Sequence, residues 1–239
     1  MIEQATGVQN SGFALLRVLS DRERSKVYLA RDSVGSLCAF KIQQPASPAA
    51  IPGIVARYAR LQPLTSQQGL LPILSHGVTD QGWLWESLVL ADNLPGLASL
   101  TDDTGVEQYT LLTLRAWTTE NGPAPAERVV EWGLRLARAL DVLHAADLVH
   151  RDVKPANILL LNGAPCLGDY GLVGEPGGSV DFGGTEGFRP IEGNNEAAAD
   201  LFAVGKALYE TWTANDRLEF PSLPSAVLGA PDWSAVADC

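Results

Sequence analysis

Cysteine, basic residues and long apolar runs are all scarce in this sequence of 239 residues. Its three cysteines, Cys38, Cys166 and Cys239, are odd in number and lack the spacing of metal ligands. We interpret them as small buried thiols in a reducing compartment. The first residues lack the basic start and apolar stretch of a secretory signal, and no run approaches membrane-spanning length. These absences predict a cytoplasmic location and no membrane contact for this chain.

The shortage of positive charge narrows the class of partner. Lysine and arginine number 17 against 28 aspartates and glutamates, which gives a net charge of −11. An acidic surface argues against nucleic acid or an anionic membrane as the main partner. Hydrophobic residues make up 46% and charged residues 19%, which is typical of a globular rather than a disordered chain. A chain of this length can bury one large core or two modest lobes.

Residues 13–90 have the pattern of a small β-rich lobe with one helix, after a leader at residues 1–12. Stretches rich in strand-forming residues occur at residues 13–20, 26–30, 37–42, 70–78 and 83–90. Residues 54–64 space their apolar side chains as a helix does. No aspartate or glutamate occurs between Asp32 and Asp80, so the predicted helix carries no acid.

The pattern beyond residue 90 turns helical and predicts a C-terminal lobe at residues 91–239, with a hinge at residues 91–96. Residues 126–146 form a predicted helix with a buried stripe of Val129, Val130, Leu134, Leu136, Leu140 and Leu143. Another helix is predicted at residues 197–213. The two lobes together predict one domain of the α+β class.

Residues 94–121 are interpreted as a local insertion followed by a short helix around residues 109–117. A plain surface loop is an equal alternative for the first half of this segment. The sequence shows no internal repeat and no long low-complexity tract.

Residues 148–161 contain the most informative pattern of the chain. They place an acid, a base and an amide (Asp152, Lys154 and Asn157) in one short loop, with apolar strand-like residues on both sides. A second acid, Asp169, follows in an Asp-Tyr-Gly turn. Phosphoryl transfer requires such groups, because its catalysis is mostly positioning and charge neutralisation. Amide and carboxylate oxygens also suit Mg²⁺ as ligands.

This loop and turn resemble those of the eukaryotic-type (Hanks-type) bacterial protein kinases of the Ser/Thr branch. The resemblance implies a two-lobed protein-kinase-like fold, ATP as a substrate with Mg²⁺ (or Mn²⁺), and a protein as the phosphate acceptor. It implies that Asp152 is the catalytic base and that Lys154 neutralises the γ-phosphate. Asn157 and Asp169 would be the metal ligands. Lys154, Asn157 and Asp169 would also contact the nucleotide.

A lysine at the end of a predicted strand extends the resemblance. Lys41 follows Ala39-Phe40 as the phosphate-binding lysine follows Val-Ala-Ile in the family. The resemblance also implies that Val27 and Ala39 lie on one side of the adenine and Leu159 on the other. These three residues could equally be ordinary core residues, because adenine and a protein core both require apolar surface.

Residues 184–192 resemble the end of a kinase activation segment, although Pro-Ile-Glu stands in place of Ala-Pro-Glu. Within the resemblance, Thr185 would contact Asp152 and Lys154 and favour Ser/Thr substrates. Asp200 would brace the backbone of the catalytic loop, which is a structural role.

Three departures from the family pattern support an alternative function. Ser20, Arg22 and Ser25 stand where the phosphate-covering loop has glycines, which let backbone N–H groups approach phosphate closely. Arg57 is predicted at the position of the helix glutamate that would pair with Lys41. The C-terminal lobe also looks truncated beside the family. The sequence therefore predicts a protein Ser/Thr kinase. The alternative hypothesis is a pseudokinase that acts as a scaffold or regulatory module, with or without bound nucleotide. A kinase-like enzyme that acts on a small molecule is a remaining alternative.

Overall fold

The structure, a computed structural model, describes residues 12–94, 100, 105–177, 184–190 and 196–223. The chain divides into two compact units. The N-terminal unit comprises Met1–Leu112 with Leu160–Cys166, and the C-terminal unit comprises Thr113–Leu159 with Leu167–Cys239. All but the last residue of the predicted leader and most of the first half of the predicted insertion lie outside the described residues.

A five-stranded antiparallel sheet forms the N-terminal unit, in the spatial order β1-β2-β3-β5-β4. Its strands are β1 (Ala14–Arg22), β2 (Ser25–Arg31), β3 (Leu37–Gln43), β4 (Ile73–Val78) and β5 (Leu84–Leu88). The predicted strands are therefore confirmed, within a few residues at their ends. The central strand β3 is buried along most of its length, because it has a neighbour on each side.

Aromatic side chains fill one face of this sheet. Phe40 stacks on Trp85 with ring centroids 5.6 Å apart, and Phe13 lies 4.9 Å from Phe40. Tyr28 and Ile42 complete this core on the same face. Successive side chains of a strand alternate between faces, so Ala39 and Lys41 of β3 belong to the face opposite Phe40 and Ile42.

One helix, α1 (Ile51–Leu64), packs beside β4 in the same unit. It begins three residues before the predicted helix and ends where predicted. Tyr58 and Leu61 are its buried residues, three positions apart on one face. After the helix, the Thr65 hydroxyl accepts a hydrogen bond from the backbone N–H of Ile73 (3.0 Å), which ties the start of β4 to the helix end.

The C-terminal unit is mainly helical. Its helices within the described residues are α2 (Leu114–Asn121), α3 (Ala126–His144) and α4 (Ala197–Thr213). A short hairpin, β6 (Ile158–Leu161) and β7 (Ala164–Leu167), has residues in each of the two units. In sequence it follows the loop that contains Asp152, here called the catalytic loop, and precedes the turn that contains Asp169. These elements and the five-stranded sheet confirm the predicted α+β fold. In the part of the chain that the structure describes, no helix has the length and apolarity needed to cross a bilayer.

Two predictions about these helices were wrong in detail. The predicted helix around residues 109–117 begins only at Leu114, where the Thr113 hydroxyl caps it by accepting from Ala116 N–H (3.1 Å). Tyr109 is instead buried in the N-terminal unit, and its hydroxyl donates to the carbonyl of Ala91 (3.0 Å). Apolar spacing alone could not distinguish these two environments.

The predicted stripe of α3 was only partly right. Leu136, Leu140 and Leu143 are buried, together with Trp132 and Ala139. Val130 and Leu134 are exposed, at 61% and 56%. Each lies two positions from a buried residue of α3. Two positions correspond to about 200° around a helix with 3.6 residues per turn, so these side chains face away from the buried side. The buried face packs closely on α4, where a Cβ at Gly133 would come within 2.9 Å of Leu208.

Candidate active site

Asp200, at the start of α4, fixes the backbone of the catalytic loop in the C-terminal unit. Its carboxylate accepts the backbone N–H groups of His150 (2.7 Å) and Arg151 (2.8 Å). A third contact joins it to Nε2 of His144, the last residue of α3, at 2.9 Å. Asp200 is almost fully buried, so these donors compensate its charge. The predicted bracing role of Asp200 is confirmed.

His150 connects this loop to the turn that contains Asp169. Its Nε2 lies 3.0 Å from the carbonyl oxygen of Gly168, and its Nδ1 lies 3.4 Å from the backbone N–H of Asp152. A carbonyl only accepts and an N–H only donates, so both contacts are satisfied when Nε2 carries the proton. One buried ring thereby holds both segments in place.

Arg151 has a positive φ of 69°, a backbone conformation that residues other than glycine rarely adopt. Its guanidinium donates to the carbonyl of Glu175 and packs against Gly174, where a Cβ would lie 2.6 Å from Nη1. The backbones of Val149 and Gly174 exchange two hydrogen bonds of 2.8 and 3.1 Å. The segment after Asp169 is therefore fixed directly to the catalytic loop.

Three polar side chains converge on the Asp152 carboxylate. The Lys154 ammonium donates to Oδ2 (2.7 Å), and the Asn157 amide donates to Oδ2 and to the backbone carbonyl of Asp152 (both 2.8 Å). The Thr185 hydroxyl donates to Oδ1 (2.9 Å) and accepts from Lys154 (2.7 Å). The predicted contacts of Thr185 with Asp152 and Lys154 are confirmed. The arrangement holds an anionic acceptor beside a fixed cation.

Asn157 and Asp169, the two candidate metal ligands, lie in adjoining segments. The backbone N–H of Gly168 donates to the carbonyl of Asn157 (2.9 Å), at the open end of the β6–β7 hairpin. Asp169 follows with φ 57° and is half-buried. Because the amide nitrogen of Asn157 is used on Asp152, its Oδ1 is the atom that could bind a cation.

A donor set of one amide and one carboxylate suits Mg²⁺, which takes few protein ligands and completes its shell with water and phosphate oxygens. The described residues contain no group of three or more His, Cys, Asp and Glu side chains that could hold a metal by themselves. The two oxygens therefore fit a metal that arrives with a phosphate substrate.

Lys41 forms a buried ion pair in the N-terminal unit. Its Nζ lies 3.4 Å from Oε1 of Glu86 on β5, and the two residues are 8% and 2% exposed. Helix α1 carries no acid, as predicted, but Lys41 nevertheless has a carboxylate partner. Sequence reasoning missed Glu86, because strand register and not sequence spacing brings it opposite Lys41. The signal was present: Glu86 is the only charged residue in the mainly apolar stretch 83–90.

The candidate adenine contacts are placed on the sheet and on β6. Val27 lies opposite Lys41 in the β2–β3 ladder, and Ala39 is buried two residues earlier on β3. Leu159 lies on β6 in the C-terminal unit, where it is buried. Their contact with adenine stays a prediction, because a core position would bury the same side chains.

The segment that lacks glycines is a tight hairpin. Arg22 pairs with Ser25 and Asp21 with Lys26 in the β1–β2 ladder, which leaves Glu23 and Arg24 as the turn. An ion pair joins Lys26 to Asp21, and Arg24 donates from Nη2 to the carbonyl of Pro45 (2.9 Å). The three positions at which the family has glycine are therefore strand residues here.

Arg217, which sequence reasoning did not single out, supports the segment that resembles the end of a kinase activation segment. Its Nε donates to the carbonyl of Glu186 (2.9 Å), and its guanidinium lies 5.0 Å from the ring centroid of Phe188. Gly187 has a φ of 81°, and a Cβ there would lie 2.8 Å from Arg217. The Ile-Glu pair that follows Pro190 lies outside the described residues.

The sheet unit with a central lysine and the helical unit with an Asp-Lys-Asn loop define the class of protein-kinase-like folds. Comparison with known proteins agrees with this class: residues 106–221 match the family model for the protein kinase domain. The findings support a Hanks-type bacterial kinase domain, and the resemblance seen in the sequence is confirmed.

Several bacterial kinases are similar to this chain over part of their length. The serine/threonine-protein kinase PknL of Mycobacterium tuberculosis is 36% identical over 115 residues, which is 43% of this chain and 28% of PknL. The serine/threonine-protein kinase D of Synechocystis is 31% identical over 131 residues, which is 48% of this chain and 26% of that protein. The matched segments thus span about a quarter of these relatives.

Proposed function

We propose that this chain transfers the γ-phosphate of ATP, with Mg²⁺, to serine or threonine hydroxyls of a protein. The observation that carries the proposal is the convergence of Lys154, Asn157 and Thr185 on the Asp152 carboxylate. Three donors orient the carboxylate, and a fixed ammonium stands beside it to meet a negatively charged phosphate. Names of relatives such as PknL agree with this activity.

In the proposed reaction, the hydroxyl oxygen of the substrate attacks the γ-phosphorus while the bond from that phosphorus to the β–γ bridging oxygen breaks. ADP is the leaving group, and the hydroxyl proton passes to the Asp152 carboxylate, which is the proposed base. Lys154 neutralises charge on the transferred phosphoryl group. Asn157 and Asp169 would hold Mg²⁺, which would supply charge neutralisation on the phosphates when bound.

Residues of the N-terminal unit are proposed to bind the nucleotide. Lys41 would contact the phosphates, and its buried position on the central strand would restrict its movement. Val27 and Ala39 would contact the adenine, as would Leu159 of the C-terminal unit. We place the reaction in the cytoplasm, in keeping with Cys38 and Cys166, which are buried as thiols rather than joined in a disulfide. Burial raises the pKa of the Cys38 thiol to about 11, so this thiol is unreactive at neutral pH.

A pseudokinase that acts as a scaffold or regulatory module is the second candidate. The observation that favours it is the β1–β2 hairpin, whose glycine-free backbone is committed to ladder pairing. Backbone N–H groups used in this way are less available to phosphate than those of a glycine-rich loop.

A thermal-unfolding titration with ATP, with and without Mg²⁺, tests the proposal first. Ligand at about a hundred times its dissociation constant should raise the free energy of unfolding by about 2.7 kcal/mol. We expect a Mg²⁺-dependent shift that Asn157→Ala abolishes and that Asn121→Ala, an exposed change on α2, leaves intact.

Transfer of labelled phosphate from ATP to an acceptor protein such as casein then separates the two candidates. Transfer that requires Asp152 supports the kinase. Binding without transfer supports the pseudokinase. No shift at millimolar ATP would contradict nucleotide binding in either form.

A further inference from the structure

Glu86 and Lys41 occupy directly opposite positions in the β3–β5 ladder. Opposite residues of an antiparallel pair place their side chains on the same face of the sheet with Cβ atoms about 5 Å apart. The two charged groups are therefore brought together by strand register, and the 3.4 Å separation of Nζ and Oε1 follows from that register.

The Glu86 carboxylate is oriented from a second direction by α1. The Tyr58 hydroxyl donates to the same oxygen, Oε1, at 3.1 Å, and Tyr58 is only 3% exposed. Burial, with the Glu86 charge as a further cause, raises the pKa of the Tyr58 phenol, so this phenol stays protonated and remains a donor. A carboxylate bound by both a strand lysine and a helix phenol has little freedom to turn.

The helix itself contributes a cation to this cluster rather than an acid. Arg57 precedes Tyr58, and burial lowers the pKa of its guanidinium, an effect that Tyr58 and Glu86 oppose. Glu86 thus stands close to two basic side chains in a buried environment. Without its negative charge, the buried ammonium of Lys41 would lose a compensating anion.

We infer that Glu86 is the positioning residue of Lys41, a carboxylate on a strand that holds the ammonium ready for the phosphates of ATP. This inference rests on the proposed function, because it takes Lys41 as a phosphate ligand. It differs from the helix-borne pair that the resemblance implies, since ladder hydrogen bonds between β3 and β5 set the geometry. A movement of α1 would remove the Tyr58 contact but not the pairing itself.

The test compares ATP with adenosine, which has no phosphate for Lys41 to contact. Glu86→Gln keeps the shape of the side chain and removes its charge. We expect it to weaken Mg-ATP binding by about tenfold or more, the range of one charged hydrogen bond, and to leave adenosine binding unchanged. Glu131→Gln makes the same change on the exposed face of α3 and should alter neither affinity.

Two further variants separate positioning from simple support of the fold. Tyr58→Phe keeps the carboxylate but removes its phenol donor, so a smaller loss of ATP binding is expected with adenosine binding retained. Arg57→Glu in the Glu86→Gln background restores a carboxylate from the helix and should recover part of the ATP affinity. In the transfer assay, kcat should fall in Glu86→Gln more than KM for the acceptor protein rises.

The outcomes are distinct. The inference is overturned if Glu86→Gln and Tyr58→Phe both leave the ratio of ATP affinity to adenosine affinity unchanged. This holds whether neither affinity changes or both fall by the same factor. If the unmodified chain binds neither ligand, the proposed nucleotide binding itself fails. If it binds ATP without transferring phosphate, a shifted affinity ratio still supports the inference while the proposed reaction fails.

Discussion

The catalytic loop of the C-terminal unit and the strands around Lys41 in the N-terminal unit differ in how closely they follow the family pattern. In the loop, every residue of the Asp-Lys-Asn motif is present and hydrogen-bonded to another member. In the sheet, the lysine is retained, but its helix glutamate and the hairpin glycines are replaced. The groups that would act on the reacting atoms thus match the family pattern, whereas several of those that would hold the nucleotide differ from it.

This difference follows from what each role requires. Transfer needs particular functional groups within about 3 Å of the reacting atoms, so few substitutions are tolerated. A phosphate-binding lysine needs only a nearby negative charge, which can come from any element that reaches it. Glu86 on β5 supplies that charge from a position that the motif does not specify.

The largest expected effect lies in the catalytic loop. Asp152→Asn removes the proposed base, and kcat should fall by about 10²- to 10⁴-fold, the usual contribution of a general base. ATP affinity should stay the same, as judged by the thermal titration. Asp141→Asn, an exposed change on α3, is the control. Transfer at the original rate would show that Asp152 has another role.

A change at Asp200, which holds the catalytic loop in place, should lower the free energy of unfolding and not only the rate of transfer. Asp200→Ala leaves the N–H groups of His150 and Arg151 unsatisfied, and at about 1–3 kcal/mol each the free energy of unfolding should fall by about 2–6 kcal/mol. Urea unfolding measures this change. Asp200→Asn retains one acceptor oxygen and should lose less. Equal losses in the two variants would contradict the assigned hydrogen bonds.

Introducing glycines into the β1–β2 hairpin would make it more like the phosphate-covering loop of the family. Ser20→Gly, Arg22→Gly and Ser25→Gly together should lower the free energy of unfolding by about 0.5–1 kcal/mol per residue, because strand glycines lose more conformational freedom. ATP affinity should rise, because backbone N–H groups can approach phosphate. Ser33→Gly with Ser36→Gly in the β2–β3 turn is the control. Unchanged ATP affinity would show that the hairpin does not limit binding.

The smallest expected effect is a pH dependence in the N-terminal unit. His76 on β4 lies opposite Glu86 in the ladder and stacks on Tyr58 with centroids 5.7 Å apart, and burial lowers its pKa. The unfolded chain therefore binds this proton at higher pH than the folded chain does. Stability should fall as pH drops below about 6.5 through the folded pKa.

Urea midpoints at pH 7.5 and 5.5 measure this dependence. His76→Gln should show a smaller loss of stability between the two values than the unmodified chain shows. An equal loss in both would assign the pH dependence to other groups.

The sequence predicted those parts of the molecule that local pattern determines. The sheet and α1 were predicted from strand composition and helical spacing, and the Asp152, Lys154 and Asn157 group from a motif within one loop. The Lys41–Glu86 pair could not be found in this way, because strand register, not sequence spacing, brings the two residues together. Tyr109 was misassigned for a related reason: its burial depends on Leu29, which is distant in sequence.

The contact of Asp200 with the catalytic loop also has a consequence for biosynthesis. The two amides that it fixes precede it by 50 and 49 residues, so this contact is long-range in sequence. Contacts of high sequence separation form late, because the intervening chain must be ordered first. A nascent chain with α3 and the catalytic loop already outside the ribosome therefore carries Asp152, Lys154 and Asn157 but not the contact that holds their loop in shape. The loop reaches its final form only after α4 has been synthesised and has packed against α3.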